Sequence, residues 1–389
     1  MARRAIVLGL LLTIGFLGAR QASWYQTSDF YCLYQGARTI AAGKDPYDET
    51  VWRDATAGTF PSVYGGTAAP PCPGRYGYPL WTAVALIPIG VMPIELASTA
   101  WLTLSIGAAV LGMALAWRAA GGRRRFAALF AVIVVMSQPF WIFLLSGQLS
   151  GLLLGLAGAT AWAIARTRER TAGVALLLSA LKPQVVGITV PAVIVRAALE
   201  RRWRLVAAAI ATGAAMLVVP LAFVRNWPFE WLGEVSGRRI RVVDEMPTAW
   251  GFAAQVLGNA LWGALVLAVL AAVLVAILWH RQLDTRAVFV LSIPLSLLAT
   301  PYAWSYDYLV LAVGWAFVLV RAADGGSVRG TALLASVLFV GCVLPWLLYA
   351  LSFVRGEETL SATIPALTAL LVAFALRTAP TSRAASPLG

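Results

Sequence analysis

Charge is scarce in this chain. Asp, Glu, Lys and Arg make up 12% of 389 residues, about half the share found in soluble domains. Too few polar side chains are present to solvate a globule of this size, so a soluble protein is excluded. Histidine is almost missing: the single one, His280, falls among arginines between two apolar stretches. Ser-His-Asp chemistry and histidine-based metal centres are therefore not expected. There is no Walker loop, no HExxH and no zinc-spaced Cys/His set, so neither a metal nor an organic cofactor is expected. A carboxylate is left as the general base available to this chain. Lysine is nearly absent too, with Lys44 and Lys182 alone. Three cysteines occur. Cys32 and Cys72 fall in one loop, where a disulfide or two free thiols would both fit. Cys342 lies in an apolar stretch as a packing residue.

What the sequence has in quantity is apolar residues, 60% of the total. They recur in runs of about 17 to 25, the length that crosses a bilayer as a helix. The fold expected is all-α: a polytopic membrane bundle of about 12 transmembrane helices, because inside lipid the backbone must satisfy its own hydrogen bonds. Membrane lipids are thus its surroundings. The net charge of +13 does not point to nucleic acid. The arginines are spread over short loops at 118–125, 166–170, 196–204, 281–286, 321–329 and 377–383, as topology signals are.

By the positive-inside rule those loops are cytoplasmic. Segments 20–78 and 225–251 balance acids against bases and are rich in aromatics, so they read as the first and second extracytoplasmic loops. Residues 5–19 read as a retained signal-anchor helix. Spans are expected at 95–117, 126–145, 149–165, 205–224, 252–279, 331–351 and 360–376. Residues 1–376 form one domain, followed by a flexible cytoplasmic tail at 377–389. Three stretches do not suit a plain span. Residues 79–93 are short and bounded by proline. Residues 171–195 break at the sequence LKPQ, and residues 287–320 break at TPYAWSYD. Irregular backbone at membrane depth is tolerated where it lines a cavity.

The first loop opens with a predicted amphipathic helix. Ser28 stands at the cap position and Asp29 in the first turn. Phe30, Tyr34, Ala37 and Ala41 follow at helical spacing, and Gly43 ends the helix. Asp29 is either a helix-start residue or a functional acid. Asp45 and Asp48 read as turn and cap residues. Lys182 lies at the LKPQ break, where an unpaired ammonium costs about 2.5–3.5 kcal/mol. A phosphate group or an ion pair with Asp307 would each supply its partner. Pro183 frees backbone groups there, and Gln184 adds a polar side chain. Asp307 lies among Tyr302, Trp304, Tyr306 and Tyr308, a composition that suits either an interfacial belt or a sugar site. Gln148 marks another loop tip, and Tyr78 lies where the first loop re-enters the membrane.

In order along the chain, DFYCLYQGARTIAAGKDPYD, YGYPL, GQLSGLLLGL, ALKPQ and PYAWSYDY resemble glycosyltransferase family 87, over roughly residues 5 to 320. That family consists of membrane-embedded glycosyltransferases of the C-type fold. It includes a mannosyltransferase of phosphatidylinositol mannoside synthesis and an arabinofuranosyltransferase of the cell wall. The resemblance implies a polyprenyl phosphate sugar donor, a glycolipid or glycan acceptor, and reaction at the extracytoplasmic face of the plasma membrane without a cofactor. It implies Asp29 as the base and Lys182 at the leaving phosphate, with Gln184 and Arg38 beside it. Gln148, Tyr78, Tyr302, Trp304, Tyr306 and Asp307 would bind sugar. A β-linked mannosyl donor would give an α-linked product by inversion. Some members carry a histidine near the position of Tyr302, and no role of that histidine transfers to this chain. A lipid or sugar transporter is the competing reading, since it too would have broken helices and charges at depth, although no internal repeat is present.

Overall fold

The structure, a computed structural model, describes residues 28–57, 72, 74–279, 283–324 and 328–377. The expected anchor at 5–19, His280 and the tail beyond 377 lie outside the described residues. Every regular element among the described residues is helical. The helices are α1 (Asp29–Ala41), α2 (Glu49–Ala55), α3 (Leu80–Ala85), α4 (Ile87–Gly90), α5 (Ile94–Ala120), α6 (Arg124–Met136), α7 (Gln138–Ser146), α8 (Ser150–Ala165), α9 (Glu169–Leu178), α10 (Pro183–Val186) and α11 (Thr189–Leu199). They continue as α12 (Trp203–Val218), α13 (Trp227–Val242), α14 (Ala249–Leu257), α15 (Trp262–Trp279), α16 (Thr285–Ala299), α17 (Ala312–Asp324), α18 (Val328–Leu338), α19 (Leu344–Arg355) and α20 (Thr363–Arg377).

Five continuous helical stretches are long and apolar enough to cross a membrane: 94–120, 203–222, 305–323, 328–355 and 359–377. The pair α6 and α7 makes a sixth if its 58° bend is counted as one span. Other apolar helices are shorter, at 10–17 residues. A total of about 12 crossings would have to draw on these and on residues before 28.

Local chemistry explains the breaks. The span expected at 126–145 bends because Pro139 cannot donate to the helix ladder and its ring crowds the preceding turn. Ser137 is accordingly extended at ψ 143°. The return span expected at 252–279 is divided at Gly258, whose left-handed φ of 70° ends α14. Asn259 then turns the chain by accepting the Leu261 amide at 2.8 Å, and α15, which follows, is one of the shorter apolar helices. The predicted breaks at LKPQ and TPYAWSYD are both present, and the short stretch at 79–93 is divided into two helices, α3 and α4.

In the first loop, α1 covers the predicted residues. Phe30, Tyr34 and Ala37 are buried, while Ala41 is exposed at the helix end. Phe30 stacks on Trp101 of α5 with centroids 5.6 Å apart, which seats α1 on the bundle. Asp48 caps α2 by accepting the Val51 amide at 2.9 Å, and Asp45 accepts the Tyr47 amide at 2.8 Å. Cys32 and Cys72 form a disulfide across 40 residues of chain.

In the interior, α5 and α8 pack with backbones nearly touching. A Cβ at Gly112 would land on the Leu154 carbonyl, and one at Gly158 would land on the Gly112 carbonyl. Small residues permit this approach, which dispersion and polar backbone contacts stabilise where lipid gives no hydrophobic drive. Gly158→Leu should therefore lower the melting temperature in detergent by several degrees, measured by intrinsic fluorescence. The same change at Gly107, where an added Cβ would meet open space, should have little effect.

Candidate active site

The first broken segment leaves carbonyls without helical partners. Two of them are satisfied from α3: Trp81 Nε1 donates to the Ala180 carbonyl at 2.9 Å, and Thr82 Oγ1 to the Leu181 carbonyl at 2.7 Å. The break is thereby stable at depth, and Lys182 leaves the helix path at ψ 83°. Its ammonium reaches the second break. Lys182 Nζ donates to Asp307 Oδ1 at 2.7 Å and Oδ2 at 2.8 Å, with both side chains almost wholly buried. Ser150 Oγ donates to Asp307 Oδ1 at 3.4 Å, and the Trp304 amide donates to Oδ2 at 3.2 Å. Lys182 Nζ also stands 4.6 Å from the centre of the Tyr306 ring, within cation–π range. Of the two partners open to Lys182 in the sequence, the ion pair with Asp307 is the one formed here.

Asp29 enters from the other side. It sits at the first turn of α1, outside the spans, and its Oδ2 accepts from Gln148 Nε2 at 2.6 Å. Gln148 Oε1 in turn accepts from the Tyr78 hydroxyl at 3.3 Å. Gln148 is held in the turn between α7 and α8, where Gly147 adopts φ 65° and its carbonyl accepts from Trp101 Nε1 at 2.7 Å. Burial raises the pKa of Asp29 above the ordinary carboxylate value. The Gln148 hydrogen bond and the Lys182 charge oppose that rise, while the Asp307 charge adds to it.

These groups face one cavity of about 870 Å³. Asp29, Tyr78, Gln148, Lys182, Gln184, Tyr302, Trp304 and Tyr306 all line it. Asp307 lies behind the wall, beneath Lys182. Arg38 is not brought to the cavity. It is exposed on α1, and its guanidinium donates to the Tyr34 hydroxyl at 2.7 Å, because helical spacing turns residue 38 away from residue 29. The Cys32–Cys72 disulfide forms part of the wall. Among the described residues no group of acids, histidines and cysteines is placed to hold a metal.

Arg75 and Glu358 are among the lining residues that the sequence did not single out. Arg75 stands at the mouth, 3.7 Å from Glu49. Glu358 comes from the connection after α19, and its Oε2 accepts the Ser305 amide at 3.1 Å. The reasoning that marked Gln148, a polar residue at a hairpin tip, applies equally to the GEE at 356–358.

Fold and site together define a membrane-embedded helical protein with a charged, aromatic-lined cavity large enough for small-molecule substrates. The profile of Glycosyltransferase family 87 matches residues 76–301, and the chain belongs to that family. It is a membrane glycosyltransferase. The matched segment holds Tyr78, Gln148, Lys182 and Gln184; Asp29 precedes it and the Trp304–Asp307 turn follows it. No curated protein and no solved structure matches the chain.

Separating the buried pair tests its structural weight. Lys182→Met and Asp307→Leu should each cost about 3–5 kcal/mol by leaving one charge unmatched. The double variant should recover most of that stability. Thermal unfolding of the four proteins in one detergent measures the coupling.

Proposed function

We propose that this protein transfers a sugar, mannose, from a polyprenyl phosphate donor to a lipid-linked or glycan acceptor. The reaction takes place on the extracytoplasmic face of the plasma membrane. The observation that carries this reading is the placement of Asp29 and Lys182 in one cavity, one side chain suited to accept a proton and the other to meet a phosphate.

Asp29 Oδ1 has no partner among the described residues, while Oδ2 is held by Gln148. The free oxygen takes the proton of an acceptor hydroxyl, whose oxygen attacks the anomeric carbon as the bond to phosphate breaks. A carboxylate of raised pKa is a better base than an ordinary one. Lys182 spends two of its three ammonium protons on Asp307. The third is the donor for the phosphate oxygen on which charge develops. Gln184 lies beside it on the wall. Attack opposite the leaving group inverts the anomeric centre, so a β-linked mannosyl donor gives an α-linked product. Tyr78, Tyr302, Trp304 and Tyr306 supply rings and hydroxyls for sugar.

The test is transfer from radiolabelled polyprenyl phosphate mannose to a crude lipid extract by the full-length protein in nanodiscs. Asp29→Asn should lose about 10²–10⁴-fold in rate. Product formation that survives this change would remove Asp29 as the base. Labelled polyprenyl phosphate arabinose, run in parallel, separates a mannosyl from an arabinofuranosyl enzyme, and no product from either favours transport without chemistry.

The pH profile adds a second measurement. The base works ionised, so kcat/KM should fall as pH drops through the raised pKa of Asp29. That acid limb should lie above the ordinary carboxylate range. Gln148→Ala removes the hydrogen bond that favours the ionised form and should shift the limb to still higher pH.

A further inference from the structure

The cavity wall carries three acids that the scheme above does not use, Glu245, Glu357 and Glu358. Glu358 is fixed at both ends by backbone: its amide donates to the Glu245 carbonyl at 3.2 Å, and its Oε2 accepts the Ser305 amide at 3.1 Å. The Ser305 side chain also hydrogen-bonds this carboxylate, and no further partner of it occurs among the described residues. The adjacent Glu357 is already engaged, by Arg355 on Oε1 and by the Thr359 amide and hydroxyl on Oε2. Glu358 is thus a carboxylate held in place beforehand by Ser305 on the wall of a substrate-sized cavity, with acceptor capacity left over from its roughly four lone-pair sites.

Its surroundings narrow the ligand. Tyr302, Trp304, Tyr349 and Phe353 line the same cavity. Flat rings pack against the C–H faces of a pyranose or furanose, and an ionised oxygen takes strong hydrogen bonds from its hydroxyls. A phosphate is disfavoured next to Glu358, because like charges repel in a site of reduced dielectric. Lys182 lies behind the same turn, where Trp304 hands its amide to Asp307 and Ser305 hands its own to Glu358. Neighbouring amides of one turn thus hold the Lys182–Asp307 pair and Glu358.

We propose that Glu358 anchors the acceptor sugar ring, with hydroxyls donating to the lone pairs of its carboxylate that Ser305 leaves open, and so sets which acceptor the protein takes. The inference rests on the reading of the cavity as the site of glycosyl transfer. Glu358→Gln retains an oxygen for the Ser305 amide and removes the charge. The probe is octyl α-mannoside, titrated calorimetrically into full-length protein in nanodiscs, with octanol as the control for the alkyl chain.

Glu358→Gln should weaken octyl mannoside binding by roughly 10- to 100-fold, the range for losing a hydrogen bond to a charged group. Octanol binding should not change. In the transfer assay KM for the lipid extract should rise while KM for polyprenyl phosphate mannose stays the same. Tyr349→Leu keeps apolar bulk but loses the ring, and should give the same selective loss with Glu358 intact. It decides the matter if the Gln variant does not fold. Equal glycoside affinity in wild type and variants, no glycoside binding by wild type, or a rise confined to the donor KM would each overturn the assignment. Failure of the transfer reading is distinguishable: wild type would then make no product, and the glycoside titration would still decide the role of Glu358.

Discussion

The Lys182–Asp307 pair is the interaction on which the site depends. Two charges buried at depth are unfavourable singly and acceptable only together, and only with further hydrogen bonds around them. Ser150 and the Trp304 amide supply those bonds. The pair also ties the break after α9 to the first turn of the 305–323 helical stretch, which follows the break after α16, 125 residues apart in the chain. Each break has irregular backbone that lipid would not tolerate, and each is stabilised by what the other brings. The cavity exists because these two breaks face one another.

The first loop and α3 complete the arrangement. Trp81 and Thr82 cover the bare carbonyls at Ala180 and Leu181. Phe30 and Trp101 hold α1 so that its acid meets Gln148. Asp29 therefore serves the helix start and faces the cavity at once, and the two readings open in the sequence are compatible. A carboxylate held by an amide side chain and opposed to a buried ammonium is a chemically polarised site, consistent with membership of a glycosyltransferase family.

Much of the architecture was legible because membrane helices obey strong local rules. Hydropathy and arginine placement located most of the apolar helices, and proline located the breaks at 79–93 and near Lys182. Two boundaries escaped. Pro139 bends α6 against α7 inside an otherwise apolar run, and Gly258 divides α14 from α15. Hydropathy averages over such single residues and hides them. Among the residues that line the cavity, Asp29, Gln148, Lys182, Tyr302, Trp304 and Tyr306 stood out in the sequence as polar, charged or aromatic groups in apolar surroundings. Arg38 was placed wrongly, because its proximity in sequence to Asp29 is undone by the turn of the helix. Glu358 was passed over because charge at a hairpin tip is ordinary by itself.

By itself, the sequence determined that this chain lives in a membrane, is helical, and keeps its few charges at turns, breaks and interfaces. Those properties follow from composition and period, which act over one turn or one span. Only the tertiary structure decided which charges meet. Lys182 pairs with Asp307 and not with another acid, Asp29 leans on Gln148, and Glu358 looks into the same cavity from 329 residues away. The physical reason is that lone charges at depth are selected for a partner by their cost, whereas the identity of that partner depends on how the helices pack.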